Sequence, residues 1–174
     1  MSNISLSPHF ELREFTKSAT ARSHGIKNEP APEHVENLKA LCVHTLEPLR
    51  EALRLPVIIT SGFRTKALNS KLAHSSKNSQ HMLGEAADFY VGQPQVSGVK
   101  CQVSGQNRRE LLIKAFRTII LDENIDYDQL ILYPSFIHVS YVSRERNRRT
   151  ILLGMRNGKL GYGKCSVQNA LKIE

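Results

Sequence analysis

Two residues in a short stretch of small amino acids carry side chains that suit a metal ion. His81 and Asp88 lie seven positions apart, with Gly84 and two alanines between them. Small residues let the backbone fold closely around an ion, and zinc accepts both imidazole nitrogen and carboxylate oxygen as ligands. A catalytic zinc site needs a third protein ligand, and His138, in a later strand-like segment, is the best candidate.

Two histidines and one aspartate would hold zinc with a net positive charge, because neutral imidazoles carry no charge and the carboxylate carries one. That charge keeps the ion a strong Lewis acid toward its bound water. A single strand histidine is more often structural, but the upstream pair makes ligation the better interpretation of His138. The sequence therefore predicts one zinc ion per chain. His74, in the polar loop before the pair, is interpreted as a bystander.

The motif around the pair resembles a known family. It reads Ser-x-His-x-x-Gly-x-Ala-x-Asp, with a Ser-Gly-Phe-Arg segment before it and a strand histidine after it. This combination resembles the zinc D-Ala-D-Ala carboxypeptidases and related peptidoglycan peptidases, including phage endolysin endopeptidases and D-Ala-D-Ala dipeptidases, over residues 6–142. The resemblance implies zinc ligation by His81, Asp88 and His138. It also implies a metallopeptidase that hydrolyses peptide bonds of peptidoglycan, as a carboxypeptidase or as a cell-wall endopeptidase.

Arg64 and Ser79 are the candidates for contact with the substrate. Arg64 follows a predicted strand, and its guanidinium could hold a peptide carboxylate or polarise the scissile carbonyl. From the residues alone, a structural salt bridge is an equally good interpretation, and the resemblance favours substrate or oxyanion contact. Ser79, the motif serine, is expected to donate a hydrogen bond to the substrate or to a metal ligand.

The general base is not assigned by the sequence. Better-known members of the family carry a glutamate three residues before the final histidine, and this chain has Ser135 there. Glu85 and Asp128 are the nearest carboxylates in sequence, and Tyr133 could donate a proton. An alternative interpretation is therefore a catalytically impaired relative that still binds zinc or the cell wall.

Hydrophobic periodicity predicts an α+β fold with helices packed on a mostly antiparallel sheet, which agrees with the Hedgehog/DD-peptidase-like fold that the resemblance implies. Helices are predicted over residues 9–15 and 65–72, capped by Ser7 (before Pro8) and Thr65. A longer helix is predicted over residues 33–53, bent or broken at Pro48, and a further one from Asn107, capped with Glu110. The strands are predicted over residues 56–60, 86–91, 128–133 and 136–142. Residues 16–32 and 92–106 are predicted loops.

The length of 174 residues, 40% of them hydrophobic, predicts a single domain over residues 1–174. Residues 143–174 form a basic tail in which segments 150–153 and 159–162 are expected to pair as a hairpin around a turn at 157–158. No basic-then-apolar leader and no long apolar run occur, so a soluble chain without an export signal is expected. It would be cytoplasmic as made, reaching the cell wall after release or export, and is expected to be a monomer.

The net charge of +8 indicates an anionic partner, and much of it lies in the arginine-rich run at residues 144–149. A basic nucleic-acid-binding domain is a third interpretation, but no nucleic-acid motif accompanies the charge, and peptidoglycan peptide stems are the expected partner. The three cysteines (Cys42, Cys101 and Cys165) are odd in number and widely spaced, which argues against a disulfide framework.

Overall fold

The computed structural model describes residues 4–73, 75–92, 105–156 and 159–173. His74, Cys101, most of the predicted loop at 92–106 and the predicted turn at 157–158 lie outside these ranges. Within these ranges, helices, one mixed sheet of six strands and a small sheet of two strands make up the fold, which confirms the predicted α+β class. No helix in the described ranges has both the length and the apolar composition needed to cross a membrane.

The described elements are helices, helical turns and strands, interspersed along the chain. In chain order they are β1 (Ser5–Ser7), β2 (Phe10–Glu11), α1 (Leu12–Thr16), α2 (Ala19–Ser23), α3 (Pro32–Leu41), a π-helical turn (Cys42–Leu46), α4 (Glu47–Leu53), β3 (Val57–Ser61), α5 (Lys66–Asn69), a 3-10 turn (Gln80–Leu83), β4 (Ala86–Val91), α6 (Gly105–Leu121), β5 (Gln129–Leu132), β6 (Ile137–Ser140), β7 (Thr150–Arg156), β8 (Lys159–Lys164) and α7 (Val167–Ala170).

The six-stranded sheet has the order β3-β4-β6-β5-β7-β8. Every neighbouring pair is antiparallel except β5 and β7, which run parallel. The chain therefore leaves β6, passes the end of β5 through residues 141–149, here termed the crossing loop, and enters the sheet again as β7. Strands β7 and β8 pair antiparallel over the segments for which the sequence predicts a hairpin.

Alternation along the strands separates the two faces of the sheet. One face packs against the helices and carries the apolar core, in which the largest fully buried side chains include Leu38, Leu46, Leu49, Phe89, Phe116 and Ile119. Ile137 and Val139 point into this core, so His138 between them points to the opposite face. Burial of the apolar face thus fixes the register that presents the polar side chains together on the other.

The N-terminal segment differs from the prediction. The helix predicted over residues 9–15 begins only at Leu12, and Ser7 is the last residue of β1, so its prediction as the helix cap is wrong. Its hydroxyl donates instead to Glu47 Oε1 at 2.7 Å. The backbone N–H of Glu11 donates to Glu14 Oε1 at 2.8 Å, which satisfies the start of the helix three residues later than expected. The predicted loop at 16–32 contains α2, capped by Ser18.

Pro48 marks a break in the long helix, as predicted, and the break takes the form of the π-helical turn before α4. Proline has no N–H to bond the carbonyl of His44. The N–H of Asp126 donates to that carbonyl instead, at 3.0 Å. In α6 the helix starts at Gly105, so the prediction of Asn107 as its cap is wrong. Thr65 caps α5 as predicted, accepting from the Leu68 N–H at 3.3 Å.

Candidate metal centre

His81, Asp88 and His138 converge on one point at the polar face of the sheet. Asp88 on β4 and His138 on β6 are direct cross-strand partners, and His81 comes from the 3-10 turn that precedes β4. One ligand atom from each side chain lies within 4.8 Å of the other two. The structure thus brings together the three residues that the sequence singles out, and no other such group of histidine, cysteine or carboxylate residues occurs in the described ranges.

Gly84 explains how the 3-10 turn delivers His81. It ends the turn with a φ of +72°, a left-handed conformation that glycine adopts without strain. A Cβ atom there would lie 2.4 Å from the carbonyl oxygen of His34, so the turn also packs against the helix too closely for a side chain. The glycine of the motif is therefore needed to aim the histidine into the site.

The spacing of the ligand atoms suits a tetrahedral ion. His138 Nδ1 lies 2.8 Å and His81 Nε2 lies 3.2 Å from Asp88 Oδ1, and the two nitrogens are 3.2 Å apart. Zinc bonds of about 2.0–2.1 Å in tetrahedral geometry separate neighbouring ligand atoms by about 3.3 Å. Outward shifts of a few tenths of an ångström would therefore accommodate zinc, and a donor set of two imidazoles and one carboxylate fits that ion.

Contacts behind the ligands fix their chemical state. His81 Nδ1 lies 2.7 Å from the carbonyl oxygen of Gly62, which can only accept, so Nδ1 carries the proton and Nε2 faces the site with its lone pair. Burial lowers the pKa of His81, although Asp88 opposes this shift, and the ring stays neutral. Burial alone would raise the pKa of Asp88, but the positive charge that His81 gains in acid and the hydrogen bond from His138 hold it well below its usual range.

Arg64 contacts the candidate metal ligand Asp88 directly. Its Nη2 donates to Asp88 Oδ2 at 2.8 Å, and its Nε and Nη2 donate to Ser61 Oγ at 3.1 and 2.9 Å. The side chain is 15% exposed and lines the cavity beside the ligands. Asp88 Oδ2 is thereby occupied, which leaves Oδ1 directed at the metal position. The structure thus shows the salt bridge that sequence reasoning left open, while substrate contact by Arg64 stays a prediction.

A cavity of about 730 Å³ extends from the ligands across the sheet. Its floor follows a row of cross-strand partners: Asp88 pairs with His138, His138 with Ile131, and Ile131 with Leu152. The metal position therefore lies at one end of the row, and an apolar floor extends from it. Ser79 lines the cavity beside the 3-10 turn, where the sequence expects substrate contact. A cleft of this size and lining suits an extended peptide.

An aromatic wall closes one side of this floor. The rings of Tyr133 and Phe136 stack with centroids 4.3 Å apart and an interplanar angle of 16°. Gly154 on β7 makes room for Tyr133, because a Cβ at that position would lie 2.3 Å from its Cδ1 atom. Both aromatic residues line the cavity. Tyr133 is thus the one base or acid candidate of the sequence that the structure places on the cavity wall.

The two carboxylates proposed from sequence lie elsewhere. Glu85 does not line the cavity, and its Oε2 accepts from Gln80 Nε2 at 3.3 Å. Asp128 is 1% exposed. Burial raises its pKa, but the hydrogen bonds from Arg148 and Gln80 outweigh this and hold the pKa at about 2. Both oxygens of Asp128 are occupied by donors, which leaves this carboxylate unsuited to accept a proton near neutral pH.

The contacts of Asp128 involve residues to which the sequence analysis gave no individual role. Arg148 donates to Oδ1 through its backbone N–H and its Nε, both at 2.8 Å, and its Nη2 bonds Oδ2. Gln80 Nε2 and Ser140 Oγ donate to Oδ2 at 3.0 and 3.3 Å. Gln80 stands directly before His81 in the motif, and that adjacency is the one signal that could have drawn attention to it.

The arginine-rich run in the crossing loop is largely paired within the protein. Arg144 Nε and Arg149 Nη1 lie 2.9 and 3.4 Å from the carboxylate oxygens of Asp126, and Arg149 also stacks over the ring of Tyr127 at 4.9 Å. With Arg148 on Asp128, three of the four arginines at residues 144–149 bind buried aspartates. The run therefore fastens the crossing loop to the start of β5.

Comparison with protein families gives a match. A family model described as Peptidase M15 matches residues 8–120, which include Arg64, His81 and Asp88, while His138 lies beyond the matched segment. No curated protein sequence gives a significant match. The matched segment covers more than half of the 174 residues.

Proposed function

Because the chain belongs to the Peptidase M15 family of metallopeptidases, we propose that it is a zinc enzyme that hydrolyses peptide bonds in the peptide stems of bacterial peptidoglycan. One observation carries the proposal: His81, Asp88 and His138 present one ligand atom each to a single point at the end of a cavity large enough for a peptide. Access to the cell wall would follow release or export of the protein.

When bound, zinc would polarise the scissile carbonyl and lower the pKa of its bound water. The protein's own residues hold the ion and orient the peptide. As ligands the two imidazoles would carry no charge and Asp88 one negative charge, which would leave the ion a net positive charge. Arg64 keeps the second oxygen of Asp88 turned away from the metal position. The substrate chain would extend over Ile131 and Leu152, with Ser79 at the rim as a hydrogen-bond partner of its backbone.

Tyr133 is our candidate for the proton donor to the leaving amine. Its ring lines the cavity, whereas Glu85 lies outside the lining and Asp128 is held ionised by its donors. The phenol would protonate the leaving nitrogen and regain its proton from water. Tyr133→Phe should then lower kcat with little change in KM, and Phe136→Leu, which alters the stacked ring without removing a proton, should spare kcat. Equal loss of kcat in both variants would remove this role from Tyr133.

The proposal is tested by zinc content and hydrolysis together. Elemental analysis should find one zinc per wild-type chain and sharply less in His81→Ala, Asp88→Ala and His138→Ala. Product analysis on purified muropeptides should show zinc-dependent cleavage, abolished by a chelator and restored by zinc. The released product, a single terminal residue or a larger peptide, would separate a carboxypeptidase from an endopeptidase. Zinc that stays tightly bound in His138→Ala would contradict the proposed three-ligand site.

A second candidate is a relative that binds zinc and cell-wall peptide without turnover. It is favoured by Ser135 at the position of the family's glutamate and by the engagement of Asp128 with its donors. The two candidates differ in one result. The enzyme releases product from muropeptides at one zinc per chain, whereas the impaired relative binds the same muropeptides at the same zinc content and releases none.

A further inference from the structure

The charges on the cavity wall are few and unequally available. Leaving the two histidines aside, the cavity lining in the described ranges has three side chains that are charged at neutral pH, those of Arg64, Asp88 and Arg148. Arg64 and Asp88 form an ion pair with each other at 2.8 Å, and their side chains are only 15% and 11% exposed. Arg148 is 56% exposed, while its partner Asp128 is 1% exposed. A ligand in the cavity therefore meets the guanidinium of Arg148 and not the carboxylate behind it.

Arg148 is also held in one orientation. Its backbone N–H and its Nε donate to Asp128 Oδ1, its Nη2 bonds Oδ2, and Nη2 also donates to Gln80 Oε1 at 3.1 Å. Within the described part of the chain these contacts use the N–H of Nε and both N–H groups of Nη2, so the two N–H groups of Nη1 are left for another acceptor. A guanidinium fixed in this way loses little conformational freedom on binding, which favours recognition of a planar anion such as a carboxylate.

The position of Arg148 relative to the metal ligands determines which part of a bound peptide it can contact. Ser140 lies two residues after His138 on the same face of β6, so it is about 7 Å further along the strand. Its hydroxyl donates to Asp128 Oδ2 at 3.3 Å, and Gln80, which Arg148 also contacts, directly precedes His81. An extended peptide advances about 3.3 Å per residue. The ion pair of Asp128 and Arg148, which Ser140 contacts, therefore lies about two residues of extended peptide from the metal position.

From this geometry we infer that Arg148 binds a carboxylate of the peptide substrate and makes the cleft selective for peptides that carry one near the scissile bond. The inference rests on the proposed function and deepens it. A chain-terminal carboxylate and an acidic side chain offer the same chemistry to the guanidinium. The paired guanidinium and Asp128 are neutral together, so the selectivity comes from the directed N–H groups at the exposed edge and not from excess charge.

The test compares matched peptides on matched variants. One synthetic peptide ending in D-Ala-D-Ala is used as the free acid, as the C-terminal amide, and with its internal glutamate replaced by glutamine. Wild-type protein loaded with zinc should show a KM that is about 10- to 100-fold lower for the carboxylate form that Arg148 reads, since hydrogen bonds to charged groups contribute factors of this size. If C-terminal amidation removes the low KM, Arg148 binds the carboxylate of the chain terminus. If replacement of the glutamate removes it, Arg148 binds the side-chain carboxylate.

Arg148→Gln should erase the discrimination by raising KM for the preferred peptide alone. Arg144→Gln, in the same loop but paired with Asp126 outside the cavity, is the control and should keep the discrimination. If Arg148→Gln fails to fold because Asp128 is left buried without its partner, Asp128→Asn/Arg148→Gln removes both charges and replaces it. Equal KM values for all three peptides with the wild type, or an equal rise for all three with the variant, would overturn the inference.

Binding measured by calorimetry separates this inference from the proposed function. If the wild type cleaves none of the peptides, the hydrolase proposal fails, and the Kd values of the same peptides still decide the role of Arg148. If cleavage occurs without discrimination, the hydrolase proposal stands and the role of Arg148 is refuted. Zinc content should stay at one per chain in Arg148→Gln, which excludes an indirect effect through the metal ligands.

Discussion

Asp88 and Asp128 are both buried, and each forms a salt bridge with an arginine. They differ in the partners of their remaining carboxylate oxygen atoms. Asp88 Oδ1 faces two imidazole nitrogens, and only Oδ2 is held by Arg64. Asp128 receives N–H and O–H donors on both oxygens, from Arg148, Gln80 and Ser140.

The two sets of partners differ in whether a metal ion can replace their contact with the carboxylate. A neutral imidazole can turn a lone pair toward a cation, so the contacts of Asp88 can be replaced by metal coordination. A guanidinium keeps its protons at every accessible pH, and an amide N–H keeps its own, so the contacts of Asp128 cannot be exchanged in this way. A buried carboxylate beside an arginine is therefore not by itself a sign of catalysis, and the nature of its remaining partners decides.

The largest expected difference concerns metal affinity. Asp88→Ala removes one of three ligands and should weaken zinc binding by roughly 100-fold or more, because zinc binding free energies of about 10 kcal/mol are shared among few ligands. Asp128→Asn should leave zinc affinity within about threefold of the wild type, since the residue touches none of the ligands. Competition against a zinc-binding dye measures both. Comparable losses in the two variants would show that the aspartates act as one unit.

Arg64→Gln sharpens the comparison on the metal side. The glutamine cannot form the ion pair with Asp88 Oδ2, so the carboxylate loses its fixed orientation. Loss of such an orienting partner typically weakens metal affinity by about 10- to 100-fold. The same dye competition measures the loss, with Arg149→Gln as the control. An Arg64→Gln protein with unchanged zinc affinity and a raised KM would assign the arginine to the substrate instead.

Asp128 should affect folding stability in acid. Its pKa of about 2 in the folded protein lies below its ordinary 3.8, so the ionised form stabilises the fold fully above about pH 4, and this contribution is lost as the pH falls toward 2. The shift corresponds to about 2 kcal/mol. Urea unfolding at pH 7 should therefore show Asp128→Asn less stable by about this amount. The gap between wild type and variant should close on acidification, and a constant gap from pH 7 to pH 2 would contradict the argument.

The smallest effects are expected at Arg144 and Arg149. Their side chains are 72% and 47% exposed, so their ion pairs with Asp126 are screened by water. Either arginine changed to glutamine should cost less than about 1 kcal/mol in the free energy of unfolding, with no change in zinc content. Thermal melts at low and high salt check this. A loss above about 2 kcal/mol would make the crossing loop a major stabilising element.

The sequence predicts which three side chains converge, because the motif and its downstream histidine restrict the local geometry. Asp88 and His138 then meet because burial of Phe89, Ile137 and Val139 sets the faces of β4 and β6. The α+β class and strand β4 follow from the same periodicity. These features share one property, which is that a local pattern and a buried face determine them together.

Other features depend on distant partners and are missed. Glu85 lies between the ligands in sequence, yet its side chain is outside the cavity, since position along the chain does not determine direction at a turn. Asp128 is a plausible base from its position in the sequence. The parallel pairing of β5 and β7 brings Arg148, just before β7, into contact with it, and this pairing is not visible in the local sequence. Ser7 has the residue type of a helix cap, and the long-range contact with Glu47 takes its hydroxyl instead.

The order of strands in the sheet has a consequence for synthesis on the ribosome. All three ligands have been translated once residue 138 has emerged, but the next neighbour of β5 is β7, which is made only after the crossing loop. Until then Leu130 and Leu132 belong to an open edge strand, the kind of edge that pairs with other chains. A nascent chain stopped at residue 142 would thus carry the complete ligand set on an aggregation-prone sheet, and only the later addition of β7 and β8 would protect it.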